Sequence, residues 1–277
     1  MVPAAVYPIP SESETAVLVV LFLITVAVPL YVLLMRPLHD RRAWGLGEMA
    51  AMAILFMIAL PLAAMMLGIE FPLSLFDLSL VTVVQNAVLV SLPAYVAVVR
   101  YRLPPSALGL SVGRWRRVLL WGVVATVPAL IVAIAGEQVA LYVLGLIEGP
   151  RQASLRAAVE HADDPLLPVL ATLSGVGPIA WFFTLLAVIV PLGEEVFFRG
   201  FVYGGLRARW GVPIAALASA LFFSAVHLQV VHGFPIFLLG LILAWLYERN
   251  GSLVPAVIAH ALNNVIAVLS LWKGWGI

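Results

Sequence analysis

Long apolar runs constrain the fold of this chain more than any other feature. Eight runs, most of them near the roughly 20 residues that a helix needs to cross a bilayer, can be read along it. They fall at about 15–35, 49–68, 78–99, 118–146, 178–206, 213–228, 233–248 and 253–272. Hydrophobic residues make up 64% of the chain and charged residues 10%, a balance that no water-soluble fold could bury. The sequence therefore predicts an all-α polytopic membrane protein, about eight transmembrane helices enclosing an intramembrane cavity, with 1–277 as one transmembrane domain.

The positions of the basic residues predict the orientation of the chain, because cytoplasmic connections carry an excess of Lys and Arg. The connections after the first, third, fifth and seventh runs hold Arg36, Arg41, Arg42, Arg100, Arg102, Arg114, Arg116, Arg117, Arg207, Arg209 and Arg249. The opposite side holds only Arg151, Arg156 and Lys273. We therefore expect both termini to be extracytoplasmic. The first fourteen residues carry no Lys or Arg, so we expect the first run to be retained and not cleaved as a signal peptide.

Composition also excludes several functions. The net charge of +1 provides no electrostatic footprint for nucleic acid. The absence of cysteine removes disulfides, thiolate metal ligands and a cysteine nucleophile. The longest connection, about 147–177, is acidic and contains several Pro and Gly residues. It is expected to be a solvated loop; the alternative is a lid or an interfacial helix over a site.

Three short polar motifs interrupt the apolar runs of the second half. An ionisable residue at membrane depth costs a few kcal/mol or more and marks a candidate functional site. The motifs are Glu194-Glu195-x-x-x-Arg199, Phe223-x-x-x-His227 and His260-x-x-x-Asn264. Counted along each helix at about 1.5 Å per residue, all three reach a depth of roughly 20–24 Å from the cytoplasmic end. This shared depth predicts one site built from three helices.

Helix geometry assigns different surroundings to these side chains. Residues four apart share a helix face, so Glu195 is expected to pair with Arg199, which turns it away from the chemistry. Glu194 points about 100° from Glu195, has no local partner, and is expected to approach His227. Phe223 lies one turn from His227 and can pack against its ring. The alternative is purely structural, with a Glu–Arg pair and with histidines that only hydrogen-bond to neighbouring helices.

The residue types suit hydrolysis by water in a semi-dry cavity. A glutamate can take the proton of the water while His227 positions it. His260 and Asn264 can donate hydrogen bonds to the oxyanion that forms. The same set could instead bind zinc through Glu194, His227 and His260, with a water on the ion. We expect no tightly bound metal, because neither a thiolate nor an H-E-x-x-H motif is present and Asn is a poor zinc ligand.

The three motifs, in this order and spacing, resemble those of the CAAX-protease and bacteriocin-processing family (CPBP or Abi, type II CAAX prenyl endopeptidases). The resemblance covers about 178–272, which is then the expected catalytic core, and adds Leu108-Gly109-Leu110 before a basic turn. It implies that Glu194 is the base, with His227 as its partner. It also implies that His260 and Asn264 are the oxyanion donors. Glu195, Arg199 and Phe223 would support the site. The family has been labelled metalloprotease, with a metal-free glutamate mechanism as the rival.

The function implied by the resemblance is an intramembrane endopeptidase. Its substrate would be a membrane-anchored or prenylated protein or peptide, in CAAX-type or in bacteriocin and self-immunity processing. The chain would be a multi-pass protein of a bacterial or archaeal plasma membrane, with lipid as a partner. The alternative function is a non-proteolytic membrane scaffold or immunity protein on the same fold. A transporter would usually show half-helix repeats, which we do not find in the sequence.

The arginine asymmetry makes a direct prediction about topology. A reporter that is active only outside the cytoplasm should be active when it is fused after Ile277, because eight crossings return the chain to the side of its N-terminus. Reporters in 36–48 and 100–117 should be active only in the cytoplasm. A cytoplasmic signal from the C-terminal fusion would contradict the prediction.

Overall fold

The computed structural model describes residues 12–32, 44–69, 71–111 and 115–273, the side chains from residue 19 onward. Within these ranges the chain is helical and contains no strand, which confirms the predicted all-α class. The helices are α1 (Glu12–Leu30), α2 (Leu46–Met66), α3 (Leu75–Arg100), α4 (Trp115–Glu148), α5 (Pro150–Ala162), α6 (Leu166–Thr172), α7 (176–210), α8 (212–225), α9 (Gly233–Asn250) and α10 (Val254–Lys273). The end of the first predicted run, 33–35, lies outside the described residues.

Five helical stretches in the described chain are long and apolar enough to cross a membrane. One of them, Val176–Ala225, contains two of the predicted runs, since Gly211 interrupts it with a left-handed φ of 78° and separates α7 from α8. The chain is thus an integral, multi-pass membrane protein. The count of eight spans stays a prediction, because α9 ends in a polar turn and the described apolar part of α1 is only Val19–Leu30.

The connection 147–177 is not the loop that the sequence predicts. It forms α5 and α6, and α5 begins where Pro150, with its preset φ, follows Gly149 at φ 92°. Most α5 side chains are exposed, so the segment is solvated, as expected, but folded. The alternative interpretation, a lid or an interfacial helix over a site, predicted a folded segment here, and its place over a site stays a prediction.

The middle of α7 is the most deeply buried helical segment of the site. Every side chain from Gly193 to Tyr203 is buried, and four Phe or Tyr rings in this stretch are fully enclosed. A helix that is buried on all sides needs apolar residues all around it, and this segment provides them apart from its Glu194, Glu195 and Arg199. The two glutamates and the arginine therefore stand in an apolar surrounding.

Two wide π-helical turns flank the glutamates of α7, at Leu185–Ile189 and Val196–Tyr203. Pro191 lies between them and has no N–H to donate, so a regular helix cannot pass through this point with all its hydrogen bonds intact. Short π-helical insertions in α-helices occur often at functional sites.

A turn between α3 and α4 fixes where α10 begins. Gly109 adopts a left-handed φ of 74°, and its carbonyl accepts a hydrogen bond from Leu253 N at 3.0 Å. The Ser111 hydroxyl donates to the carbonyl of Gly251 at 3.1 Å. A Cβ at Gly109 would overlap the ring of Tyr247, so only glycine fits. The Leu-Gly-Leu motif thus anchors the helix that carries His260, which packs against α4 and α7.

Candidate active site

The three motifs meet around one aromatic ring. The ring of Phe223 in α8 stands edge-on to His227, with centroids 4.8 Å apart, and to His260 of α10, with centroids 5.7 Å apart. The guanidinium of Arg199 in α7 lies 4.3 Å from the centre of the same ring, a cation–π contact. Residues far apart in sequence therefore form a single cluster. Both imidazoles pack against the Phe223 ring.

Glu195 is the hub of this cluster. Its Oε1 accepts one hydrogen bond from Arg199 Nη1 at 3.0 Å and another from His260 Nδ1 at 2.9 Å, and its side chain is fully buried. The predicted pair with Arg199 is confirmed. The prediction that this pair turns Glu195 away from the histidines is wrong, because the pair leaves the same oxygen within reach of a second helix.

Glu194 faces the other edge of the same imidazole. Its Oε2 lies 3.7 Å from His260 Nε2, and 11% of its side chain is exposed, whereas none of Glu195 is. Among the described residues the Glu194 carboxylate makes this ion pair and none with His227, so the expected approach to His227 is not found. Helical rotation does separate the two carboxylates, but an imidazole offers two nitrogens on different edges, and each glutamate takes one.

His227 has a defined tautomer. Its Nδ1 lies 2.7 Å from the carbonyl oxygen of Phe223. A carbonyl only accepts hydrogen bonds, so Nδ1 must carry the proton, and Nε2 of the neutral ring is left with a lone pair. The side chain is half-buried. His227 can therefore accept a hydrogen bond from a water or a substrate.

Asn264 compensates for the interrupted hydrogen bonding of α7. Val190 N–H is bonded to the carbonyl of Leu185, and the next residue, Pro191, has no N–H, which leaves the carbonyl of Leu186 without a helical donor. Asn264 Nδ2 donates to that carbonyl at 2.9 Å. One of its two amide N–H groups is thereby used, and the other remains for the oxyanion role that the sequence predicts.

Arg199 connects the cluster to a further helix. Its Nη2 donates to the carbonyl of Gly240 in α9 at 3.4 Å, and its side chain is fully buried. Within the described chain, Arg199 Nε and Glu195 Oε2 have no hydrogen-bond partner. A buried charge with an incomplete set of bonds depends strongly on the partner that it has. The Glu195–Arg199 pair therefore holds the site together, and removing either member should lower the free energy of unfolding.

The site residues do not fit a zinc centre. A structural or catalytic zinc takes at least three protein ligands. In the part of the chain that the structure describes, no group of three or more His, Asp or Glu side chains is placed so that it could hold a metal ion. Of the predicted set, Glu194 lies 3.7 Å from His260, whereas the hydrogen bond of His227 in the described chain goes to the carbonyl of Phe223.

A close contact between α7 and α3 lies directly before the glutamates. Gly193 of α7 packs against Asn86 of α3, and a Cβ at 193 would overlap the Asn86 side-chain amide and lie 3.3 Å from its Cα. Asn86 Nδ2 donates to the carbonyl of Thr82 at 2.9 Å, and its buried Oδ1 has no partner among the described residues. The sequence indicates that Asn86, a polar residue in an apolar run, could join two helices, but not which helix it meets.

Adding a methyl group at Gly193 should damage the site. Gly193→Ala must push α3 and α7 apart, which we expect to cost about 1–3 kcal/mol of unfolding free energy. It should also displace Glu194 and lower any turnover. Gly177→Ala is the matched control, since Gly177 lies in the same helix and a Cβ there would have no atom within 4 Å. Thermal unfolding in detergent compares the two, and equal unfolding temperatures would contradict the contact.

The buried ion pair makes a second prediction. Glu195→Gln keeps the shape but leaves the charge of Arg199 uncompensated, which should lower the unfolding free energy by about 3–5 kcal/mol. Glu195→Gln combined with Arg199→Met removes both charges and should recover part of this loss. Glu148→Gln, which breaks the exposed pair with Arg156, should change the unfolding temperature little. A double variant less stable than Glu195→Gln alone would show that charge balance is not the cause.

Sequence comparisons agree with the family resemblance of the motifs. Residues 176–266 match the family model described as "Type II CAAX prenyl endopeptidase Rce1-like". The "UPF0177 protein YxdF" of Lactococcus lactis subsp. lactis (strain IL1403) is 29% identical over 82 residues, which are 29% of this chain and 45% of that protein. The "Putative membrane peptidase YdiL" of Bacillus subtilis (strain 168) is 28% identical over 83 residues, 30% of this chain and 34% of that protein.

A third relative extends the similarity beyond the motif region. The "Uncharacterized 24.3 kDa protein" of Escherichia coli is 26% identical over 148 residues, 52% of this chain and 63% of that protein. The chain thus spans between about a third and two thirds of the length of these relatives. No solved structure gives a significant match. The resemblance read from the three motifs is confirmed in the second half of the chain, whose residues 176–266 match the Rce1-like type II CAAX prenyl endopeptidases.

Proposed function

We propose that this protein is an intramembrane endopeptidase that hydrolyses a peptide bond of a membrane-associated substrate with a water activated by Glu194. One observation carries the proposal. His260 is held between two glutamates, with Nδ1 on Glu195 at 2.9 Å and Nε2 facing Glu194 at 3.7 Å. A structural histidine needs only one such partner. Here the second carboxylate has no hydrogen bond among the described residues and is partly exposed, so it is free to meet a water.

The charges of the cluster support this assignment. Two ionised glutamates face one arginine, and an imidazolium at His260 would bring the sum to zero. Charge balance matters because unpaired charges are costly in an apolar interior. In this state His260 Nε2 carries a proton that it can donate, while Glu195 keeps Nδ1 and the ring in place. The arrangement matches a general base, Glu194, beside a fixed hydrogen-bond donor, His260.

The first step forms the new carbon–oxygen bond. Glu194 takes one proton from the water as the water oxygen attacks the carbonyl carbon of the peptide bond. His227 Nε2, with its free lone pair, accepts a hydrogen bond from the other hydrogen of the water and directs the attack. The carbonyl oxygen becomes an oxyanion. His260 Nε2–H and the second amide N–H of Asn264 donate to it.

The second step breaks the carbon–nitrogen bond. The proton on Glu194 passes to the amide nitrogen, the tetrahedral intermediate collapses, and the carbonyl re-forms. The products are a carboxylic acid and an amine, and Glu194 is again ionised. Water supplies every atom that is added, so the cycle consumes nothing else. Glu194 is the general base of the first step, and the protonated Glu194 is the general acid of the second step.

The surroundings of the site favour a substrate that is already in the membrane. The cluster lies on α7, α8 and α10, whose outward faces are apolar, and its inner members are buried. A low-dielectric site strengthens the hydrogen bonds to the oxyanion. We propose a membrane-anchored peptide or protein, prenylated or not, as in CAAX-type or bacteriocin-type processing. The similarity to the Rce1-like family supports this class of reaction.

Turnover should depend on the two histidines and on Glu194, and their substitution should lower kcat without unfolding the protein. Glu194→Gln, His227→Ala and His260→Ala should each lower kcat by about 10²–10⁴-fold, since each removes a base or a donor. Asn264→Ala should lose less turnover, because His260 still donates. The measurement is hydrolysis of an internally quenched peptide library, prenylated and plain, by protein reconstituted in liposomes.

Matched controls separate the outcomes of this assay. Glu137→Gln and Glu148→Gln remove carboxylates from other parts of the chain and should leave turnover unchanged. Thermal unfolding should show that Glu194→Gln is folded. Wild-type turnover that survives Glu194→Gln would overturn the proposed base. No hydrolysis of any library peptide by wild-type protein would instead favour a scaffold or immunity role on the same fold.

A further inference from the structure

One carboxylate outside the motifs binds the turn that follows His227. Glu160, at the end of α5, accepts hydrogen bonds from Val230 N at 2.8 Å and Val231 N at 2.9 Å on Oε1. Its Oε2 accepts from Val231 N at 3.1 Å, from His232 N at 3.4 Å and from His232 Nδ1 at 3.2 Å. These residues are about 70 positions away in sequence, so the contact is entirely tertiary.

The Glu160 carboxylate accepts the backbone hydrogen bonds of this turn, as a capping side chain does at the end of a helix. Three successive backbone N–H groups point at one side chain, only 14% of which is exposed. Burial alone would raise the pKa of Glu160, but the hydrogen bonds from Val231, Val230 and His232 outweigh it and lower the pKa below its usual value. The group is therefore ionised at neutral pH. Bonds to a charged acceptor are stronger than those to a neutral one.

The turn itself needs such support. Leu228, the residue directly after His227, has a φ of 56°, and a bulky side chain rarely adopts this left-handed conformation. Such backbone strain persists only when the surrounding structure enforces it, and it is common at functional sites. The Ser224 hydroxyl donates a hydrogen bond to the carbonyl of Gly233 at 2.6 Å, which fixes the ends of the turn. Glu160 fixes its middle.

We infer that Glu160 is a positioning residue for His227: by holding the 228–232 turn, it fixes where the His227 imidazole stands in the site. The inference rests on the proposed hydrolytic role of His227. It also gives the acidic connection a function, because Glu160 of α5 holds the turn that follows His227. Glu160 touches no reacting atom, so its effect should appear in kcat and not in substrate binding.

Three variants separate positioning from a general loss of structure. Glu160→Ala removes every acceptor of the turn, whereas Glu160→Gln keeps one carbonyl oxygen and loses the charge. Glu148→Gln is the matched control, since it removes a carboxylate at the neighbouring helix end whose hydrogen-bond partner among the described residues is Arg156. Thermal unfolding reports the fold of each. If Glu160→Ala does not fold, Glu160→Gln carries the test.

Mobility of the turn gives a measurement that needs no substrate. The chain has no cysteine, so Val230→Cys, at a position 52% exposed, can carry a single spin label in the full-length protein in liposomes. Glu160→Ala should increase the mobility of this label, Glu160→Gln should increase it less, and Glu148→Gln should not change it. An unchanged spectrum in Glu160→Ala would overturn the inference.

Turnover of the best-cleaved library peptide completes the test. A displacement of about 1 Å can cost about 100-fold, so Glu160→Ala should lower kcat by about that factor at unchanged KM. In a His227→Ala background the same change should cause no further loss, because the residue that it positions is gone. A rise in KM at unchanged kcat, or losses that multiply in the double variant, would overturn the positioning role.

The two proposals fail in distinguishable ways. If His227→Ala is inactive while Glu160→Ala turns over like wild type, the hydrolytic function stands and the inference about Glu160 is wrong. If wild-type protein hydrolyses no peptide, the proposed function is wrong, and the role of Glu160 in catalysis is wrong with it, whatever the label shows. Increased label mobility together with the kcat loss and the missing additivity supports both.

Discussion

The Oε1 atom of Glu195 accepts hydrogen bonds from two helices, and the rest of the site depends on it. Through Arg199 it reaches the carbonyl of Gly240 on α9, and through His260 it reaches α10. Within a membrane there is no water to replace such partners, so each group must be satisfied by another part of the protein. The register of three helices is thereby tied to one oxygen. Glu194, one residue earlier, is left as the carboxylate with an opening.

The two glutamates that face one histidine lie in an irregular part of α7. The π turns on both sides and Pro191 between them disturb the regular stacking of the helix. Each of these features costs hydrogen bonds or conformational freedom, and neighbouring helices compensate for them. Asn264 bonds the free carbonyl of Leu186, and Asn86 fills the space beside Gly193. The irregular backbone of α7, together with the residues that compensate for it, therefore shapes the site as much as the functional side chains do.

The sequence predicted the features that depend on local spacing. The apolar runs gave the helices, and the i, i+4 spacing gave the Glu195–Arg199 pair. It could not predict contacts decided by side-chain torsions or by chain segments far apart. Helical rotation orients the Cβ atoms of Glu194 and Glu195, but the torsions beyond them bring both carboxylates to His260. Glu160 belongs to a segment whose polar composition indicated a loop, and nothing near it pointed to residues 230–232.

The hydrogen bond from Asn264 to the carbonyl of Leu186 is needed because position 191 is a proline. It therefore couples positions 191 and 264, which no functional motif connects. An amino acid with an N–H at position 191 could supply that carbonyl from within α7. The amide at 264 would then keep both of its N–H groups for other uses, and position 264 would no longer be required by the backbone of its neighbour. Residues 191 and 264 should therefore vary together during evolution. A change of a helix-breaking residue, remote from any reacting atom, would alter the number of hydrogen-bond donors that the site can offer.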